Sequence, residues 1–152
     1  AYRTGRQADY PVRRRGRTIP EYHIAVGVVY KGERILITRR AEDGLLGGMW
    51  EFPGGKIETW ESSEAACKRE IEEEVGLDVE VTRLITRVDH AYSHFKIGVD
   101  VYACRYRAGK VRLNGPVDHR WILLDETDDY PFPAVNHKIF PYLKDRDTAE
   151  KD

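Results

Sequence analysis

The chain has 152 residues, 41% of them hydrophobic and 34% charged, with a formal net charge of −1. That length and balance specify one globular domain with room for a sizeable core. No run of 18 or more apolar residues occurs, which excludes a helical membrane span, and no signal-peptide pattern is visible at the N-terminus.

Residues 1–20 carry six arginines against one acid, Asp9, and have neither helical nor strand period. With Pro11, Gly16 and Pro20 among them, they are expected as a basic arm or interdomain linker, suited to a polyanionic partner or simply solvated. The chain opens at Ala1, and Met49 is its one methionine, so a processed chain or a domain of a longer protein is expected. Residues 21–145 form the folded domain and 146–152 a charged tail.

HIAVGVVY from His23 to Tyr30 reads as a strand, and Lys31-Gly32-Glu33 turns the chain into a second strand from Arg34 to Arg39. Ala41 to Gly48 is a Gly-rich loop. Trp50 to Phe52 is a short strand, with Trp50 and Phe52 expected in the core, and it runs into Pro53-Gly54-Gly55. A helix of about three turns follows. Ser62 is placed to cap its start, and Gly76 to end it in the left-handed conformation. Cys67, Ile71 and Val75 form an apolar stripe at i, i+4 and i+8. Beyond it lie strands over 77–90 and 95–105, a possible short strand at 110–112 and an Asn114-Gly115-Pro116 turn. A strand over 119–124, a loop over 125–132 and a second helix over 134–143 complete the reading. Strands interleaved with two helices argue an α/β or α+β layered domain. Cys67 and Cys104 lack metal-site spacing and are expected as small core residues in a reducing compartment, in keeping with a cytoplasmic location.

The first helix carries the chemistry. Seven glutamates fall between residues 55 and 77, and Glu70, Glu73 and Glu74 lie at i, i+3 and i+4. On a helix these three carboxylates fall within about 100° of one another. Like charges so placed destabilise an isolated helix by roughly 0.2–0.5 kcal/mol per pair. A divalent cation would convert the repulsion into coordination, and Mg2+ or Mn2+ suits hard oxygen ligands shared with substrate phosphates. A solvated acidic face is the alternative.

The stretch from Gly55 to Leu77 matches the pattern G-x5-E-x7-R-E-U-x-E-E-x-G-U, where U is bulky and aliphatic, at Gly55, Glu61, Arg69, Glu70, Ile71, Glu73, Glu74, Gly76 and Leu77. It resembles the Nudix hydrolase family. The resemblance implies the Nudix fold, a mixed sheet sandwiched between helices, and hydrolysis of a nucleoside diphosphate linked to another group. IAVGVVYKGERILITRRAEDG, WEFPGGKIETWESSEAACKREIEEEVG and Phe132-Pro133-Ala134-Val135-Asn136 resemble MutT-type 8-oxo-dGTP pyrophosphatases. By this resemblance Glu70, Glu73, Glu74 and the Gly54 carbonyl hold Mg2+ or Mn2+, and one carboxylate, Glu70 for choice, deprotonates water. Arg69 can pair with Glu73 and steady it, while Glu61 orients the loop. Gly55 lets the backbone approach the metal closely, and Arg40, rather than Arg39, points at phosphates. Asp118 is a possible further carboxylate. Asn136 reads the oxidised guanine, or alternatively caps the second helix.

Other segments resemble the C-terminal domain of MutY-type adenine DNA glycosylases: AYRTGRQADYPVRRR, Gly44 to Phe52, His90-Ala91-Tyr92-Ser93-His94 and Tyr130 to Pro133. That resemblance implies duplex DNA containing 8-oxoguanine as a partner and an upstream glycosylase domain; Ser93, whose hydroxyl both donates and accepts, is the candidate to read the lesion, with Tyr92 beside it to wedge or stack against the duplex. Those domains generally lack an intact box, and this chain keeps every box residue.

Overall fold

The computed structural model describes residues 19–44 and 46–143. Nearly all of the expected basic arm, the tail from Lys144 onward and Leu45 of the Gly-rich loop lie outside the described residues.

A seven-stranded mixed sheet forms the middle layer. Its strands are β1 (Glu21–Lys31), β2 (Arg34–Arg39), β3 (Trp50–Glu51), β4 (Gly54–Lys56), β5 (Asp78–Ala91), β6 (Lys96–Ala108) and β7 (Asp118–Leu123). β1 is central. It pairs in parallel with β6 from Glu21–Lys96 to Tyr30–Arg105, and every other pairing is antiparallel. The other edge of β1 is shared: β2 pairs at Tyr30 and Lys31, and β4 at Ile24 to Val26. The continuous apolar run of β1 follows from burial on both faces. Val26, Val28 and Tyr30 join one core cluster, and Ala25 and Val29 the other.

Each core cluster is closed by a helical layer. Helix α1 (Ser63–Val75) lays Ala66, Cys67, Ile71 and Val75 on one face of the sheet, all fully buried. Burial of side chains the size of Ile71 or Val75 contributes about 1.5–3 kcal/mol each. The Ser62 hydroxyl accepts from the Ala65 N–H at 3.1 Å to cap the start. Gly76 ends the helix at φ 74°, a left-handed conformation that a Cβ disfavours. The opposite face is covered by α2 (Ala134–His137) and the helical turn over 140–143, through Val135, Ile139, Phe140 and Leu143. The fold is therefore the sandwich expected from the sequence.

Three expectations are corrected. The second helix is not continuous over 134–143. Lys138 donates to the Val135 carbonyl and Ile139 to the Asn136 carbonyl, and these i→i+3 bonds tighten the chain at 138–139. Residues 110–112 are not a strand. The Arg112 and Asn114 N–H groups donate instead to the Val75 and Glu74 carbonyls at the end of α1, which the helix cannot satisfy itself. The loop expected over 125–132 contains a 3-10 helix, Leu124–Asp129. No helix among the described residues is long and apolar enough to cross a membrane.

Candidate active site

β4 and α1 meet where the box begins. Gly54 and Gly55 pair with Val26 and Ala25 of β1, so β4 lies directly under the acidic face of α1. A Cβ on Gly55 would collide with the Glu70 carboxylate, and one on Gly54 with the Ala25 carbonyl. Glycine at both positions is what lets carboxylate and backbone approach so closely.

Arg69 organises the carboxylates around it. Its Nε donates to Glu61 Oε1 at 2.9 Å and its Nη2 to Glu61 Oε2 at 2.6 Å, a fork-on-fork pair. Nη1 reaches Glu70 at 3.2 Å and Glu73 at 3.1 Å, and Nη2 also donates to the Lys56 carbonyl. Glu61 in turn accepts from the Glu58 N–H at 3.0 Å. Helix, loop and β4 are thereby tied through one guanidinium. The hydrogen bonds from Arg69 lower the Glu61 carboxyl to about 2. The same pairing raises Arg69.

The three helix carboxylates have different surroundings. Glu73 is 57% exposed and leans on Arg69. Glu70 is largely buried and raised, by desolvation first, against the opposing pull of Arg69. Glu74 accepts from the Gly54 N–H at 3.2 Å. Burial raises it to about 8, and the nearby Glu51 and Glu70 charges add to the rise. Among the described residues, no three acidic, histidine or cysteine side chains close around one point as a ready metal cage. The carboxylates share a face, but Arg69 draws Glu73 aside and the Gly54 N–H holds Glu74. Desolvated carboxylates over a cradle that a Cβ would fill are nonetheless a donor set that suits a hard divalent cation.

A cavity of about 550 Å³ opens beside this face. Its lining includes Arg40, Glu51, Gly54, Gly55 and Glu74, and also Ile24, Phe95, Ile97, Val135 and Ile139 together with Asn136. Asn136 is 6% exposed. It is the third residue of α2, whose N-cap is Pro133, so it does not cap the helix. Arg40 lines the cavity, whereas Arg39 does not and pairs with Glu42 at 3.6 Å. Asp118 is bound by the His119 N–H and the Arg120 guanidinium, which hold its carboxyl below its usual range, and it does not line the cavity. Ser93 is exposed on the turn between β5 and β6 and does not line the cavity. Tyr92 stacks on Phe95 with centroids 4.8 Å apart, and its hydroxyl accepts from the Val135 N–H.

Glu51 is a cavity residue that sequence reasoning missed. It lies on a two-residue strand between Trp50 and Phe52, and both of these are buried in the core as expected. An acid between two core aromatics was the one available signal. Burial raises its carboxyl, against the pull of Arg40, whose Nη1 lies 3.2 Å from both of its oxygens.

The NUDIX domain family profile matches residues 25–142. The chain belongs to this family. It is a Nudix hydrolase of the MutT type. It is 31% identical over 122 residues to an 8-oxo-dGTP diphosphatase of Escherichia coli, covering 80% of this chain and 95% of that one. The MutT Nudix hydrolase structure from Burkholderia pseudomallei superposes with a TM-score of 0.73 at 26% identity, over 80% of this chain and 97% of that chain. A human adenine DNA glycosylase is 29% identical over 114 residues, 72% of this Nudix hydrolase but 20% of the glycosylase.

Proposed function

We propose that this Nudix hydrolase converts 8-oxo-dGTP, or a closely related oxidised purine nucleotide, to the monophosphate and pyrophosphate, with Mg2+ or Mn2+ as cofactor. The observation that carries the reading is one continuous cavity. Its lining combines an apolar set that includes Asn136 with a charged set that includes Arg40 and Glu74. A nucleobase fits the first and a phosphate chain the second. The Escherichia coli relative is named for the same substrate.

In this reading Asn136 both donates to and accepts from the base edge. Arg40 meets the phosphate chain. A divalent cation held by Glu70, Glu73, Glu74 and the Gly54 carbonyl would neutralise charge on the phosphate oxygens and orient the attacking water. Glu70, made more basic by burial, accepts a proton from that water as it bonds to phosphorus and the bridging P–O bond breaks. Arg69, itself anchored on Glu61, holds Glu70 and Glu73 in register by bonding both directly.

Purified protein incubated with 8-oxo-dGTP, dGTP and CTP at millimolar Mg2+ or Mn2+ tests the reading through monophosphate release. The expected result is release with 8-oxo-dGTP preferred. No release from any nucleotide overturns it.

The glycosylase match favours a second reading, an 8-oxoguanine-recognition domain acting on duplex DNA beside an upstream glycosylase domain. Ser93, exposed on its turn, would meet the lesion, and the arginines of residues 1–20 the phosphates. Ser93→Ala should then lower the preference for lesion duplex without changing the salt dependence, and deleting residues 1–18 should do the reverse. Equal binding of lesion and undamaged duplex, by the domain alone and joined to its upstream sequence, would remove this reading.

A further inference from the structure

Glu51 is a carboxylate placed at a cost. Its side chain is 23% exposed, and it lines the cavity while its neighbours Trp50 and Phe52 enter the core. A residue that only filled the wall would be better neutral, since a buried charge is unfavourable unless paired. The pair is Arg40, with Nη1 at 3.2 Å from each Glu51 oxygen. The backbone supports the same meeting. Thr38 pairs with Glu51 across β2 and β3, and Arg40 continues the contact by donating its N–H to the Met49 carbonyl at 2.9 Å.

Arginine is long, and an unheld guanidinium loses rotamer freedom when it binds. Glu51 removes that loss before the ligand arrives. We infer that Glu51 is a positioning residue for the nucleotide, holding the Arg40 guanidinium in the cavity wall so that it meets the phosphate chain already oriented. This rests on the nucleotide reading of the cavity. Neither the box pattern nor the helix carboxylates imply it, because Glu51 lies outside both.

The test compares Glu51→Gln, Glu51→Asp, Arg40→Met and the Glu51→Gln/Arg40→Met double variant in the full chain. Two readouts are used: steady-state hydrolysis of 8-oxo-dGTP, and calorimetric binding of a dGTP analogue whose bridging oxygens are methylenes, with Mn2+ present. Glu51→Gln should lower kcat/KM about 10- to 100-fold, chiefly through KM, and weaken analogue binding in parallel. Glu51→Asp, which keeps the charge but shortens the reach, should be intermediate. In the Arg40→Met background Glu51→Gln should have no further effect, because its action runs through Arg40. Unchanged KM and analogue affinity in Glu51→Gln would overturn the inference, as would an equal loss with and without Arg40. Should Glu51→Gln not fold, Glu51→Asp decides: wild-type KM and affinity there overturn the inference. If the unmutated protein hydrolyses nothing, the nucleotide reading fails on its own, and that outcome is distinct from hydrolysis that is indifferent to Glu51.

Discussion

The Tyr92 hydroxyl accepts a hydrogen bond from the Val135 N–H at 3.1 Å, across 43 residues of sequence. α2 has no side-chain cap of its own, so Tyr92 satisfies one of its orphan donors from the neighbouring β5–β6 turn. The next residue after Val135 is Asn136, in the cavity wall. The turn that resembles a DNA-reading motif is thus fastened to the cavity wall beside Asn136.

That link predicts a modest stability cost for Tyr92→Phe, about 1 kcal/mol, because the ring keeps its stack on Phe95 while the hydroxyl is lost. Thermal or urea unfolding checks it. A larger loss is expected for Tyr92→Ala, which also removes the stack.

Asn136→Ala separates recognition from stability. The residue does not cap α2, and alanine is at least as good a helix former in its place. The preference for 8-oxo-dGTP over dGTP should narrow by an order of magnitude or more while the melting temperature stays nearly unchanged. Retained preference with earlier melting would assign Asn136 to structure instead.

Glu74→Gln should lower turnover by orders of magnitude and yet stabilise the metal-free protein above neutral pH. The Glu74 carboxyl is raised from its model-compound value of 4.5 to about 8 in the fold. Between those values the native state holds a proton that the unfolded chain has released, so stability falls as pH rises through the window. Melting temperatures in chelator from pH 5 to 9 should decline more steeply for the unmutated protein than for Glu74→Gln. Parallel curves would contradict the assignment.

Glu61 works in the opposite sense. Its carboxyl lies at about 2, lowered chiefly by the Arg69 hydrogen bonds, so its contribution is present above the ordinary carboxylate range and is lost as pH falls toward 2. Glu61→Gln should flatten the acid limb of the stability profile between about pH 4.5 and 2. Acid titration followed by circular dichroism reads the difference.

Much of this molecule was legible in order along the chain. The period of the apolar residues places α1, the Ser62 cap and the Gly76 stop locate its ends, and the spacing of Glu70, Glu73 and Glu74 puts them on one face. These are local properties, fixed by 3.6 residues per turn and by the left-handed conformation that glycine accepts. The strands of β1, β2 and β6 were readable for the same reason, since Val- and Ile-rich runs bounded by turns need no distant partner to be recognised.

What lay beyond the sequence is what depends on residues far apart in it. Glu51 is an ordinary acid in a short strand until β2 and β3 pair and bring Arg40 to it. Asn136 could equally have been a cap until the chain started α2 after Pro133 and brought the residue into the cavity wall. Residues 110–112 have strand-forming composition, but the unsatisfied carbonyls at the end of α1 claimed the neighbouring N–H groups. The sequence by itself determined the family and the acidic helix, because both are written in local spacing. Only the tertiary structure decided which polar side chains share a cavity, because burial, desolvation and long-range hydrogen bonds exist only after the sheet has assembled.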